Sequence, residues 1–289
     1  MPFGWSLNPY RGCVHGCHYC YARASHAYLG MNAGDDFSNR IVVKTNMPEV
    51  LRHELGRPSW ARQRVAIGTA TDAYQPCEGR YRLTRRCLEA FRDFDTPVSI
   101  VTKSTLVLRD RDLLMALAAG AGATVHFTIT TLDDTLWRVL EPGTPPPHQR
   151  LQVMRRLADS GIPCGVFLAP VLPGITDSEA SIAAVAAAAQ EHGALSFWSS
   201  VLRLAPLVKE HYFGFIGDAF PTLAPRYARA YAETNAPDAY LRAMEARIAR
   251  IQTQFGFDQD PARERPSAGR PVPSSIPRSA RSQQLALPI

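Results

Sequence analysis

Asn8-Pro-Tyr-Arg-Gly-Cys13-Val-His-Gly-Cys17-His-Tyr-Cys20-Tyr-Ala-Arg23 places three thiols at C-x3-C-x2-C spacing on a short segment rich in turn residues. Just before it, Phe3–Asn8 predicts a strand, so the cysteines are expected in the loop at that strand's C-terminal end. The chain has six cysteines in 289 residues, three of them clustered in this segment. That pattern does not resemble a disulfide framework, whose cysteines are spread through a small secreted fold. A metal or redox centre is the better reading. Three soft ligands can cap three irons of a cubane and leave the fourth iron without a protein ligand. The same trio with His15 or His18 could instead form a Cys3His zinc site. Outside that alternative, the two histidines read as loop residues shaping the surroundings of the cysteines.

Outward from this loop, β-branched runs at Arg64–Thr71, Pro97–Lys103, Thr124–Thr130, Cys164–Ala169 and Leu195–Arg203 alternate with helical patterns. Cys87, Leu88, Phe91 and Phe94 line one helix face, and Leu151, Met154 and Leu157 line another. With the first strand these make six βα units. The expected fold class is therefore α/β, a partial (βα)6 TIM-like barrel whose site is built by the loops after the strand C-termini. Thr176-Asp-Ser-Glu179 reads as a capping box, with Pro170–Ile175 the loop before it. Leu241, Met244, Ile248, Ile251 and Phe255 predict a closing helical segment over Pro225–Phe255.

After Asp260 the composition turns to Pro, Ser and Arg, with too little apolar material to offset ordering entropy. The expected organisation is a core over 1–257 and a disordered tail over 258–289. The formal charge is +6, but the last 29 residues hold five Arg and one Glu, so the excess belongs mostly to the tail. The core's balance says little about nucleic acid. No secretory signal opens the chain, and its longest apolar run falls short of the roughly 18 residues of a span, so a soluble, cytoplasmic protein without membrane contact is expected.

Several motifs agree in order with one family: Asn8-Pro-Tyr-Arg-Gly-Cys13, Cys20-Tyr-Ala-Arg23, Gly68-Thr-Ala-Thr-Asp-Ala-Tyr-Gln-Pro-Cys-Glu78, Leu83-Thr-Arg85, Thr102-Lys-Ser104, Leu140-Glu-Pro-Gly-Thr-Pro145, Arg150-Leu151 and Ala169-Pro-Val-Leu-Pro-Gly174. From Trp5 to Phe257 the chain resembles the radical S-adenosylmethionine (SAM) superfamily, in its spore photoproduct lyase-like branch. The resemblance implies a [4Fe–4S] cluster on Cys13, Cys17 and Cys20, reductive cleavage of SAM to a 5′-deoxyadenosyl radical, and an electron donor such as flavodoxin or ferredoxin. Tyr19 resembles the aromatic against the adenine, and Thr71 and Asp72 the groups meeting the methionyl amine. Lys103 and Ser104 resemble positions near the SAM carboxylate and ribose, and Thr128 and Thr130 positions bonding the ribose. By residue type alone, Thr71 and Asp72 also suit a strand-ending turn, Lys103 a solvated charge, and the two threonines plain strand formers. Glu141 reads as a helix-end charge partner and Arg203 as a phosphate ligand or an ion-pair partner.

The resemblance implies a DNA lesion or nucleic-acid modification as substrate; a peptide or small metabolite is the alternative. One departure bears on it. In this branch a cysteine before the Ser/Thr-Asp pair returns a hydrogen atom, and here that place falls at Thr69, with Cys77 the nearest thiol. Cys77 is therefore the candidate catalytic donor. Gln284-Leu-Ala-Leu-Pro-Ile289 resembles peptides that dock on the bacterial sliding clamp, which leaves a zinc-stabilised clamp-binding module as a non-enzymatic reading.

Overall fold

The computed structural model describes residues 4–257. The expected tail and the Gln284–Ile289 peptide lie outside the described residues. Six parallel strands form the main sheet in the order β1-β4-β5-β6-β7-β8: β1 (Trp5–Leu7), β4 (Val65–Ile67), β5 (Val98–Thr102), β6 (Ala123–Thr128), β7 (Cys164–Val171) and β8 (Ser196–Val201). Between β1 and β4, the two-residue strands β2 (Tyr10–Arg11) and β3 (Val42–Val43) pair antiparallel. β1 and β8 do not pair with each other, so the predicted partial barrel is an open, six-stranded parallel α/β sheet.

Helices cover the sheet because their sequences bury one face. In Leu83–Asp93, the side chains Cys87, Leu88, Ala90 and Phe91 are buried against strand residues such as Val65, Ile67, Val98 and Ile100. Each large side chain in such a core contributes about 1.5–3 kcal/mol of burial free energy. All the loops that carry the site leave the same end of the sheet, since every strand of it is parallel.

Three expectations are corrected. The strand predicted over Arg64–Thr71 stops at Ile67, where Gly68 takes φ +86°; a Cβ there would lie 2.4 Å from the Val101 carbonyl oxygen. Thr69–Thr71, β-branched though they are, become loop. The helix starts two residues later than read and with a single cap in place of the box: the Ser178 hydroxyl accepts from the Ser181 N–H at the start of Glu179–Glu191, while buried Thr176 accepts from the Leu172 N–H. The closing segment over Pro225–Phe255 is two helices, Ala224–Ala230 and Asp238–Gln254, because Asn235-Ala-Pro237 interrupts it and Asn235 bridges to Arg203; a further helix, Pro206–Ala219, precedes them. Among the described residues no helix is long and apolar enough to cross a membrane.

Candidate functional site

The cysteine loop leaves β1 and is held in place through its backbone. Asn8 Nδ2 donates to Thr69 Oγ1 at 3.0 Å and Asn8 Oδ1 accepts from the Ala70 N–H at 2.8 Å, fastening the start of the loop to the end of β4. Gly12 has φ +82°, and a Cβ on it would lie 2.8 Å from both the Phe37 carbonyl oxygen and the His26 ring, so only glycine fits. Its carbonyl accepts from Thr71 Oγ1 (2.6 Å) and Gln75 Nε2 (3.1 Å), and Gln75 Oε1 accepts from the Val14 N–H. From the other side, Gly143 packs on Val14, where a Cβ would come within 2.3 Å of the carbonyl oxygen.

Arg23 completes the clamp. Its buried guanidinium donates to the carbonyls of Cys17, Gly16, Ala33 and Gly34 at 2.6–3.0 Å. Its charge stands beside the thiols of Cys13, Cys17 and Cys20. None of the three is in a disulfide. Burial, then the negative charges of Asp72 and the neighbouring cysteines, pushes the Cys13 thiol well up. Burial pushes Cys17 up to about 12 against the pull of Lys103. Among the described residues no three His, Cys, Asp or Glu side chains converge on a point where they could hold one metal ion. A cluster does not need that convergence, because it takes each thiolate on a different iron. The donor set of three free, soft thiols on one rigid loop beside two cations therefore fits a cluster.

Above the loop lie two buried carboxylates. Asp72 accepts from Thr102 Oγ1 (2.8 Å) and the Tyr74 N–H (2.9 Å) on one oxygen, and from the Lys103 N–H (2.7 Å) on the other, which also faces His15 Nδ1 at 3.3 Å. Burial alone would raise its pKa; the His15 charge and these donors outweigh it and hold Asp72 at about 2. Glu141 accepts from Tyr19 Oη, from Thr130 Oγ1 at 2.8 Å and from buried Arg150. Against burial, Arg150 and Lys103 hold it at about 2 as well. Lys103 Nζ lies 5.6 Å from the Tyr19 ring centroid, and Cys17 and Glu141 raise its pKa although burial would lower it.

The structure therefore brings Cys13, Cys17, Cys20, Tyr19, Asp72, Lys103 and Thr130 into one connected group, tied by hydrogen bonds within the protein. The Thr71 hydroxyl donates to the Gly12 carbonyl and accepts from Gln75 Nε2. Asp72 has all four lone-pair directions engaged, which leaves it no room for a methionyl amine without giving up a bond. Thr130 is committed to Glu141, and the Thr128 carbonyl accepts from Arg150 Nη1. Ser104 Oγ caps Thr105–Asp110 through the Leu106 N–H and borders an open cleft of about 450 Å³ with His15, Tyr74, Pro142 and Thr144. Cys77 is not brought in: it starts the short helix Glu78–Tyr81, half-buried, with Glu78 and Tyr10 as its ionisable neighbours. Sequence reading missed Gln75 as a clasp and Arg150 as a counter-ion. The signal for Gln75 lay in its place within Thr71-Asp-Ala-Tyr-Gln-Pro76.

A sequence model described as the Radical SAM superfamily matches residues 7–185. The chain belongs to the radical SAM superfamily. An uncharacterized protein of Mycobacterium tuberculosis is 38% identical over 261 residues, 90% of this chain and 77% of that one. Among solved structures in the superfamily's fold, a mutant spore photoproduct lyase with bound AdoMet and dinucleoside spore photoproduct superimposes with a TM-score of 0.63 at 18% identity, covering 86% of this chain and 73% of that chain. Streptococcus suis SuiB bound to S-adenosylmethionine gives 0.55 at 14% identity over 86% and 47%. At such identities the last two speak for the fold alone.

Proposed function

We propose that this radical SAM protein holds a [4Fe–4S] cluster on Cys13, Cys17 and Cys20, cleaves SAM reductively, and acts on a lesion or modified position in nucleic acid. When bound, the cluster and SAM together supply a 5′-deoxyadenosyl radical, which abstracts a hydrogen atom from substrate. The observation that carries the reading is the three-thiol loop clamped by Arg23, Gln75 and Gly12 beneath the Lys103–Glu141–Tyr19 group.

The chain's own residues divide the work. Arg23 and Lys103 place two positive charges by the thiols and offset the negative charge of ligated thiolates. Asp72, saturated by four partners, orients the Lys103 backbone and the Tyr74 loop. Lys103 Nζ, over the Tyr19 ring, is the cation best placed to hold a carboxylate, and Ser104 Oγ lies one residue on. Buried Glu141 fixes Tyr19 next to Cys20, and the packed rim restricts water at the thiols. The ordered motifs shared with the spore photoproduct lyase-like branch, Thr71-Asp-Ala-Tyr-Gln-Pro76 among them, favour nucleic acid as the substrate class. Burial and Glu78 push Cys77 up to about 11, so it carries the S–H bond a hydrogen donor requires. Not being one of the three clustered thiols, it would serve after the cleavage step, on the substrate radical.

The test is anaerobic reconstitution with iron and sulfide, followed by a 5′-deoxyadenosine assay under strong reductant. The expected result is about four irons and SAM-dependent 5′-deoxyadenosine, lost when any one of the three cysteines becomes alanine. Protein that carries the full cluster yet leaves SAM intact would refute the proposal, and one zinc without iron would favour the binding-module reading. Cys77→Ala should keep SAM cleavage within about twofold, since Cys77 stands at the start of the Glu78–Tyr81 helix and is not one of the three clustered thiols.

A further inference from the structure

A second cleft, of about 460 Å³, opens on the outer wall and is lined by Arg85, Leu108, Arg109, Arg111, Asp112, Met115 and Arg156. We propose that it binds the phosphate backbone of a nucleic-acid strand, which rests on the nucleic-acid reading above and says where the strand is held.

Four guanidiniums meet here with unequal duties. Arg109 pairs with Glu78 and Asp110 at 2.7 Å, and Arg85 with Asp110 at 3.0 Å and Asp112 at 2.8 Å. Glu78 and Asp110 are completely buried beneath the arginines, so they fix the two guanidiniums without presenting negative charge to a ligand. Among the described residues Asp112 is the one acidic side chain on the lining, and Glu89 also faces Arg85 at 3.6 Å. Arg111 and Arg156 are exposed, and their guanidiniums have no ion-pair or hydrogen-bond partner among the described residues. The cleft thus offers two anchored and two uncommitted arginines, and each planar fork matches a phosphate bidentately. Concavity favours a strand over a protein partner: a phosphodiester ridge enters a cleft with its sugars against Leu108 and Met115, whereas an acidic protein face is broad and nearly flat. The cleft is mechanically joined to the site, since Arg109 holds Glu78, and Glu78 accepts from the hydroxyl of Tyr10, three residues before Cys13.

Fluorescence anisotropy of labelled 20-mer single-stranded DNA and RNA on the reconstituted full chain tests this. Arg111→Ala/Arg156→Ala is expected to weaken binding roughly ten- to a hundredfold, and to flatten the slope of log affinity against log salt by about 1.4. SAM cleavage without substrate should stay unchanged. The charge-matched control Arg229→Ala/Arg242→Ala should shift both readouts far less. Unchanged affinity and slope in the first variant would overturn the proposal. So would equal losses in both variants, or slower reduction by a protein electron donor with intact DNA and RNA binding. If the wild-type chain cleaves SAM but binds neither strand, this inference fails while the cleavage chemistry stands; if it binds through these arginines but cleaves nothing, the reverse holds.

Discussion

Arg23 carries an unusual load for one side chain. Four carbonyl oxygens from two separate stretches converge on one buried guanidinium, and three thiols share its charge. Lysine would keep the charge but cannot span four acceptors, because its donors radiate from one nitrogen. Arg23→Lys is therefore expected to cost about 10–100-fold in iron–sulfur retention, the range typical of groups that orient metal ligands. Iron and sulfide content under graded chelator reads it directly. At Gly12 the constraint is steric: Gly12→Ala should lose about 1–3 kcal/mol from the left-handed backbone alone, with the 2.8 Å clash adding to it. Denaturant unfolding measures that loss. The three cysteine ligands were legible as residue types at fixed spacing. The duties of Thr71 and Asp72 were not, because whether a carboxylate is free or saturated depends on donors such as Thr102, Tyr74 and His15 that reach it only in the fold.

Elements repeat this division. Five of the six strands were read as β-branched runs, yet β4 was carried four residues too far at its C-terminal end, since Thr69 and Thr71 carry strand propensity and the stop comes from the close approach of Gly68 to Val101. The connector after β6 was read as a proline-rich turn with a charge partner; it is the second wall of the site. Glu141 there is buried with Arg150, each at about 0–1% side-chain exposure. Breaking one side of such a pair leaves an uncompensated buried charge at a cost of about 3–5 kcal/mol. Glu141→Gln should lose stability of that order, and Glu141→Gln/Arg150→Met should recover much of it. A double variant as unstable as the single would show that packing of the Arg150 stem, not its charge, governs the connector.

Across the whole molecule, Asp72 and Glu141 tie the ends of β4, β5 and β6 to the cysteine loop, so the site and the sheet share an acid sensitivity. Both carboxyls are held at about 2 in the fold, against 3.8 and 4.5 ordinarily. A depressed pKa means that the unfolded chain binds the proton more readily, so the stabilisation is complete above about pH 4.5. It is lost as pH falls through the folded values near 2. Urea unfolding of the iron-free protein at pH 7, 5.5 and 3 should show stability roughly constant over the first step and falling over the second. In Asp72→Asn the fall should be shallower, because one of the two titrating groups is gone, although its stability at pH 7 starts lower. An acid transition equally steep in Asp72→Asn would mean that the loop is not anchored through this carboxylate. The clamp on the three thiols would then rest on Arg23, Gln75 and the Glu141 wall.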